Sequence, residues 1–168
     1  MKDAYIHLQK FLKKQSSKAK QLAAVKESGL NVRRISNPDK GLQLEAVKQD
    51  GFSIQFIHDP DKDVQLEAVK KDGWSIQFIH NPDKDMRLEA VKQDGYSIIH
   101  IHNPDKGIQL EAIKQNGSSI IWCPELFPEL LAAYLSSKEC PEELKQKICD
   151  PKWSPNEVFC LAAKRRKG

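Results

Sequence analysis

Apolar positions recur along this chain in one fixed pattern from Asn37 to Pro124. In Asp59–His80, DPDKDVQLEAVKKDGWSIQFIH, a first apolar burst falls at Val64, Leu66, Ala68 and Val69. A glycine follows, then a second burst at Trp74, Ile76, Phe78 and Ile79. The preceding copy, Asn37–His58, differs at five positions, and further copies run over Asn81–His102 and Asn103–Pro124. The period is 22 residues without insertion. Such a period marks a stacked repeat architecture, because one short unit cannot bury its apolar face alone.

On a helix of 3.6 residues per turn the first burst covers a broad arc, with Glu67, Lys70 and Lys71 opposite. The pattern predicts a long helix flanked on both sides. The second burst predicts a short helix with Trp74, Ile76, Phe78 and Ile79 inward and Gln77 and His80 outward. Gly51, Gly73, Gly95 and Gly117 are expected as left-handed caps between the two helices. The Asn-Pro-Asp junction is expected to open the next long helix, with Asn81 as cap and Pro82 in the first turn. The SIQFIH segment also alternates like a strand. One strand per repeat would need a parallel solenoid sheet, and no leucine-rich consensus follows, so helix pairs are favoured. Ile54, Ile76, Ile98 and Ile120 then form an internal ladder.

A shift of 22 also aligns Gln15–Ser36 as a diverged first repeat. Residues 1–14 predict an amphipathic cap helix, with Ala4, Leu8, Phe11 and Leu12 on one side. After Pro124 the period is lost. Pro128 predicts a helix start before Leu130, Leu131, Tyr134 and Leu135, and a second helix is expected after Pro141. Ser154, Pro155 and Glu157 form a capping box for a third. The expected fold is all-α: a right-handed-type α-solenoid within a single domain, residues 1–168. Residues 1–14 cap it, 15–124 form five 22-residue repeats, and 125–168 supply capping helices and a basic tail.

With 39% hydrophobic and 30% charged residues in 168, the chain reads as an ordinary globular domain. It has neither a membrane-spanning apolar run nor a signal-peptide core at the amino end. A cytoplasmic location is the default expectation, with a secreted effector or virion-associated protein as alternatives. Cys123, Cys140, Cys149 and Cys160 lack Cys-x-x-Cys spacing and read as free thiols. Charge is uneven: residues 1–34 carry nine Lys/Arg against two Asp/Glu, whereas the repeats that follow are mildly acidic.

Several ladders are candidates for chemistry. His58, His80 and His102 recur at the repeat period, beside His100. Histidine is a metal ligand, but ligands to one zinc lie about 2 Å from it, while stacked helices stand about 8–10 Å apart. No metal and no cofactor is therefore expected. Lys48, Lys70 and Lys92 each stand three residues after a glutamate, the spacing of a helix-surface ion pair. Gln43, Gln65 and Gln109 suggest hydrogen bonds between repeats, and Arg87, which replaces them in the third copy, is either a local surface variation or a polar contact point. Phe52, Trp74, Tyr96 and Ser118 occupy one position beside the glycine and read as core. Ile99 and Ile121 stand in the outward slot of Gln55 and Gln77, and with Trp122 they suggest an apolar patch. The sequence has no glycine-rich phosphate loop, metalloprotease helix or nucleophile elbow.

The aliphatic-x-Leu-x-Ala-Val-Lys-x-Asp-Gly segment, Val64 to Gly73, followed by Ile76 and Ile79, resembles the tandem repeats of the domain of unknown function numbered 4116. The likeness spans residues 15–124. More distantly the chain resembles variant leucine-rich and HEAT-like solenoids. The family resemblance implies stacked helices and carries no assigned activity; such repeats occur in bacterial, protist and large-virus proteins.

The expected function is a non-enzymatic protein-interaction or scaffold module. Its candidate contacts are Gln55, Gln77, Ile99, Ile121, His58, His80, His102, Lys48, Lys70 and Lys92. A protein or peptide partner is expected, with no small-molecule substrate and no membrane span. One alternative is nucleic-acid or acidic-partner binding through Lys13, Lys14, Lys18, Lys20, Arg33, Arg34, Lys164, Arg165, Arg166 and Lys167. Another is a structural role in a larger assembly such as a virion.

Overall fold

The computed structural model describes residues 17–123, 127–140 and 142. The expected cap helix at residues 1–14 and the helices after Pro141 lie outside them. The described residues are helical, with no strand. Each repeat is one α-helix followed by one 3₁₀ helix, joined in extended backbone.

The chain divides into two compact units, Met1–Ile79 and His80–Gly168. In the first, α1 is helical over residues 17–27. It is followed by η1 (Gly29–Arg34), α2 (Lys40–Gln49), η2 (Gly51–Phe56), α3 (Lys62–Lys71) and η3 (Gly73–Phe78). Helix α2 packs on α3, η1 on η2, and η2 on η3, so α-helices form one layer and 3₁₀ helices another. Between the layers lie Val25, Val32, Leu42, Val47, Ile54, Ile57, Val64, Val69, Ile76 and Ile79, all buried. The second unit holds α4 (Lys84–Gln93), η4 (Gly95–His100), α5 (Lys106–Gln115), η5 (Gly117–Trp122) and α6 (Pro128–Ser136). Here α4 packs on α5, η4 on η5, and α6 closes against α5 and η5. Pro128 stands in the first turn of α6, which buries Leu130 and Tyr134 as the spacing predicts. The stacked helical repeat is thus present in both units.

The two aspartates of each repeat explain the short elements. Asp61 precedes α3 with extended backbone, and its side chain accepts from the Val64 N–H. Asp39, Asp83 and Asp105 do the same for α2, α4 and α5. An oxygen at this position satisfies an amide that has no partner inside the helix. Asp72 serves both neighbours: its backbone N–H donates to Ala68 O and closes α3, while its side chain accepts from Trp74 N and opens η3. Asp50, Asp94 and Asn116 repeat that double role.

Two expectations about the turns are overturned. No described glycine has a positive φ, so Gly51, Gly73, Gly95 and Gly117 are not left-handed caps. Gly51 is required by close approach instead. A Cβ there would sit 2.6 Å from Ser75 Oγ and 2.7 Å from Ala68 O of the next repeat. The left-handed turn falls at Asn37, Asp59, Asn81 and Asn103, with φ of 49–53°. Asn and Asp enter this region more readily than other side chains. Asn81 is therefore the turn that redirects the chain, Asp83 is the cap, and α4 begins at Lys84 rather than at Pro82.

Candidate functional site

Among the described residues the large apolar side chains that face solvent, Phe56, Phe78, Ile99 and Trp122, stand on 3₁₀ helices. A 3₁₀ helix turns every three residues, so positions three apart eclipse. Ile76 and Ile79, three apart, are buried, and Ile54 and Ile57 repeat the arrangement. The two residues between them point outward. These are Gln55 and Phe56 in η2, and Gln77 and Phe78 in η3. Phe56 is 40% and Phe78 37% exposed, so the expectation that Phe78 points inward is corrected. That expectation assumed a 3.6-residue turn.

In the first unit the equivalent positions of η1 are Arg33 and Arg34, both exposed. Three neighbouring 3₁₀ helices therefore carry Arg33–Arg34, Gln55–Phe56 and Gln77–Phe78 on equivalent sites. The arrangement is held from below. Gln55 Nε2 donates to Phe52 O at 3.0 Å and Gln77 Nε2 to Trp74 O at 3.1 Å. The Phe78 ring meets the Phe52 ring of the preceding repeat edge-on, with centroids 5.7 Å apart and planes at 74°. Offset and edge-to-face aromatic pairs are the favoured geometries.

In the second unit Ile99 and Trp122 are 43% and 44% exposed. Ile121, expected outward, is only half-buried, and His100 is partly buried beside Ile99. Burial lowers the His100 pKa below the ordinary histidine value, because desolvation disfavours the charged ring. The position of Gln55 and Gln77 is thus aliphatic in this unit.

The remaining candidates lie on other parts of each repeat. His58, His80 and His102 are exposed immediately before the left-handed residues, outside the helices. Among the described residues no group of three His, Cys, Asp or Glu is arranged to hold a metal. Lys48, Lys70 and Lys92 are exposed in the last turns of α2, α3 and α4. The expected Glu–Lys pair closes at Glu111–Lys114, 3.8 Å apart. Glu45, Glu89 and Glu111 accept from Gln49, Gln93 and Gln115 one turn on.

Among the described residues, short ion pairs join successive repeats at the start of the α-helices. Lys18 reaches Asp39 at 2.6 Å, Lys40 reaches Asp61 at 2.9 Å and Asp63 at 2.6 Å, and Lys84 reaches Asp105 at 3.0 Å. The Lys18 ammonium, then the Leu42 N–H, hold the Asp39 carboxyl below its usual range. Lys40 and the Val64 N–H do so for Asp61, and the Ile108 N–H and Lys84 for Asp105. This ladder was missed in the sequence because its partners stand 21 or 23 residues apart and meet only when repeats stack. Of the basic candidates, Lys18 is thereby engaged, whereas Lys20, Arg33 and Arg34 are exposed. Lys13, Lys14, Lys164, Arg165, Arg166 and Lys167 lie outside the described residues.

The glutamine ladder also differs from expectation. Gln43, Gln65 and Gln109 each donate through Nε2 to the carbonyl of Pro38, Pro60 and Pro104 in their own repeat, at 2.7–2.9 Å. Arg87 substitutes through Nε, reaching Pro82 O at 2.8 Å. These side chains brace the junction within a repeat and do not link repeats.

An array of α-helix and 3₁₀-helix repeats, capped by aspartates and redirected by left-handed Asn or Asp, defines a tandem helical-repeat protein. Residues 39–81 and 61–104 match the family described as "Domain of unknown function (DUF4116)", so the central repeats are similar to that family. No curated protein and no solved structure matches the chain. No described helix is long and apolar enough to cross a membrane.

Proposed function

We propose that the chain is a non-enzymatic docking module whose contact surface is the exposed side of the 3₁₀ layer. The observation that carries this reading is the set of equivalent exposed positions in the first unit, ending in Phe56 and Phe78. In the second unit Ile99 and Trp122 are the corresponding exposed apolar side chains. Repetition speaks for docking, since equivalent side chains in successive repeats build an extended surface. A catalytic centre needs one unique constellation. Exposed apolar side chains on the 3₁₀ layer of each unit favour a contact surface over a purely solvated one.

The test is capture of proteins by the full chain, with and without nuclease, beside Phe56→Ala/Phe78→Ala and Ile99→Ala/Trp122→Ala. Discrete proteins that survive nuclease and are lost with either pair support the reading. Capture that both pairs leave intact places contact elsewhere and refutes it. A nucleic-acid reading is favoured by the exposed Arg33 and Arg34. It requires binding that falls steeply with salt, because phosphate contacts release counterions.

A further inference from the structure

We infer that the 3₁₀ layer of the first unit reads an extended peptide segment in which acidic residues stand beside apolar ones. This rests on the docking reading above and specifies its ligand.

The argument is charge and spacing. Arg33 and Arg34 put two cationic side chains at one end of the layer, at the position filled by neutral Gln-Phe in the next two repeats. Guanidinium groups bind carboxylates with paired N–H donors. Phe56 and Phe78 offer apolar platforms at the following two sites, the second braced against Phe52. Gln55 and Gln77 are tethered through one amide N–H each to Phe52 O and Trp74 O. A side-chain amide has a second N–H and a carbonyl oxygen, which suit it to main-chain hydrogen bonds. The tether limits its freedom before binding, which reduces the entropy lost on association.

The register follows from dimensions. Neighbouring helices stand about 8–10 Å apart, and an extended chain advances about 3.3 Å per residue. One repeat therefore spans about three peptide residues. The acidic residues should precede or follow the first apolar contact by about three positions and the second by about six. Single-stranded nucleic acid fits less well. It needs cations that track the phosphates along the whole groove, whereas residues 55–56 and 77–78 carry none.

The experiment selects a random 12-residue display library on the full chain and measures the labelled consensus peptide by fluorescence anisotropy. The expected consensus has an acidic cluster about three and six positions from aliphatic or aromatic residues. Its affinity should fall at least tenfold with Arg33→Glu/Arg34→Glu and with Phe78→Ala, and it should weaken as salt rises. Phe56→Ala serves as a second apolar variant that leaves the Phe52–Phe78 contact in place. Lys71→Ala, on the α-helical layer, should bind as wild type. A basic consensus overturns the inference, as does binding indifferent to the arginine and phenylalanine variants. If such binding is instead lost with Ile99→Ala/Trp122→Ala, the docking reading stands and this ligand assignment falls. A library that yields no enriched peptide sinks the ligand assignment, and the protein-capture test decides the docking reading separately. Labelled oligo(dT) that displaces the peptide and is lost in the same variants overturns it in favour of nucleic acid.

Discussion

Gly51 and Ser75 test how the repeats are fitted together. A Cβ added at Gly51 would lie 2.6 Å from Ser75 Oγ, 2.7 Å from Ala68 O and 3.0 Å from Asp72 Cβ. The first two fall well inside ordinary contact, and one of them is backbone at the end of α3. Gly51→Ala therefore has to push the next repeat away, and overpacking of this kind costs roughly 1–3 kcal/mol. Ser75 is fully buried, and its hydroxyl makes no hydrogen bond among the described residues. A buried hydroxyl without a partner carries a desolvation penalty of about 1–3 kcal/mol. Ser75→Ala should accordingly leave stability unchanged or raise it by about 1 kcal/mol. The double variant removes the Oγ clash but keeps the clash with Ala68 O. It should recover part of the Gly51→Ala loss, with a coupling of about 0.5–1.5 kcal/mol. Urea unfolding followed by far-UV circular dichroism and tryptophan fluorescence gives the midpoints and slopes. An unshifted midpoint for Gly51→Ala would refute the close-approach argument. A loss above about 1 kcal/mol for Ser75→Ala would show that the hydroxyl is bonded in solution.

Other outcomes follow from the same packing. Ile76→Ala should cost roughly 2–5 kcal/mol because the side chain is fully enclosed. Phe78→Ala, two residues on and exposed, should cost much less, and equal losses in urea unfolding would contradict the division into inner and outer positions. Asp61 has a folded pKa depressed by Lys40 and the Val64 N–H. Its contribution is thus present above the unfolded value of about 3.9 and lost as pH falls through the lower folded value. Asp61→Asn keeps an acceptor for the Val64 N–H and removes the charge. The stability difference from wild type should be constant near neutrality and vanish in acid; a difference that persists in acid would mean the loss is steric. Burial pushes the Cys123 thiol up to about 12. Alkylation at pH 8 should leave Cys123 unmodified in the native chain and label it rapidly in urea, as read by peptide mass spectrometry. Rapid native labelling would place it at the surface.

The sequence by itself determined the repeat, its period and its helical character. An apolar arc of alternating breadth, twice per 22 residues, leaves few ways to bury itself, and stacked helices are the simplest. It also determined that Ile54 and Ile76 in the first unit, and Ile98 and Ile120 in the second, are buried, because that slot of the repeat is always apolar. The outward places of Gln55, Gln77 and Ile99 were legible for the same reason.

Tertiary structure decided the rest. The second helix winds as a 3₁₀ helix, and that tighter turn carries Phe56 and Phe78 outward. A 3.6-residue reading cannot anticipate the change. Glycine at position 51 is needed because a neighbouring repeat presses against it, a contact that local sequence does not contain. The left-handed turn moved to Asn37, Asp59, Asn81 and Asn103, leaving the following aspartate free to cap. The lysine–aspartate ladder needed stacking before residues 21 apart could meet. Stacking likewise brought Arg33 and Arg34 into the layer of Gln55 and Phe56. Periodicity fixes what a repeat must bury, and the approach of its neighbours fixes what it can expose.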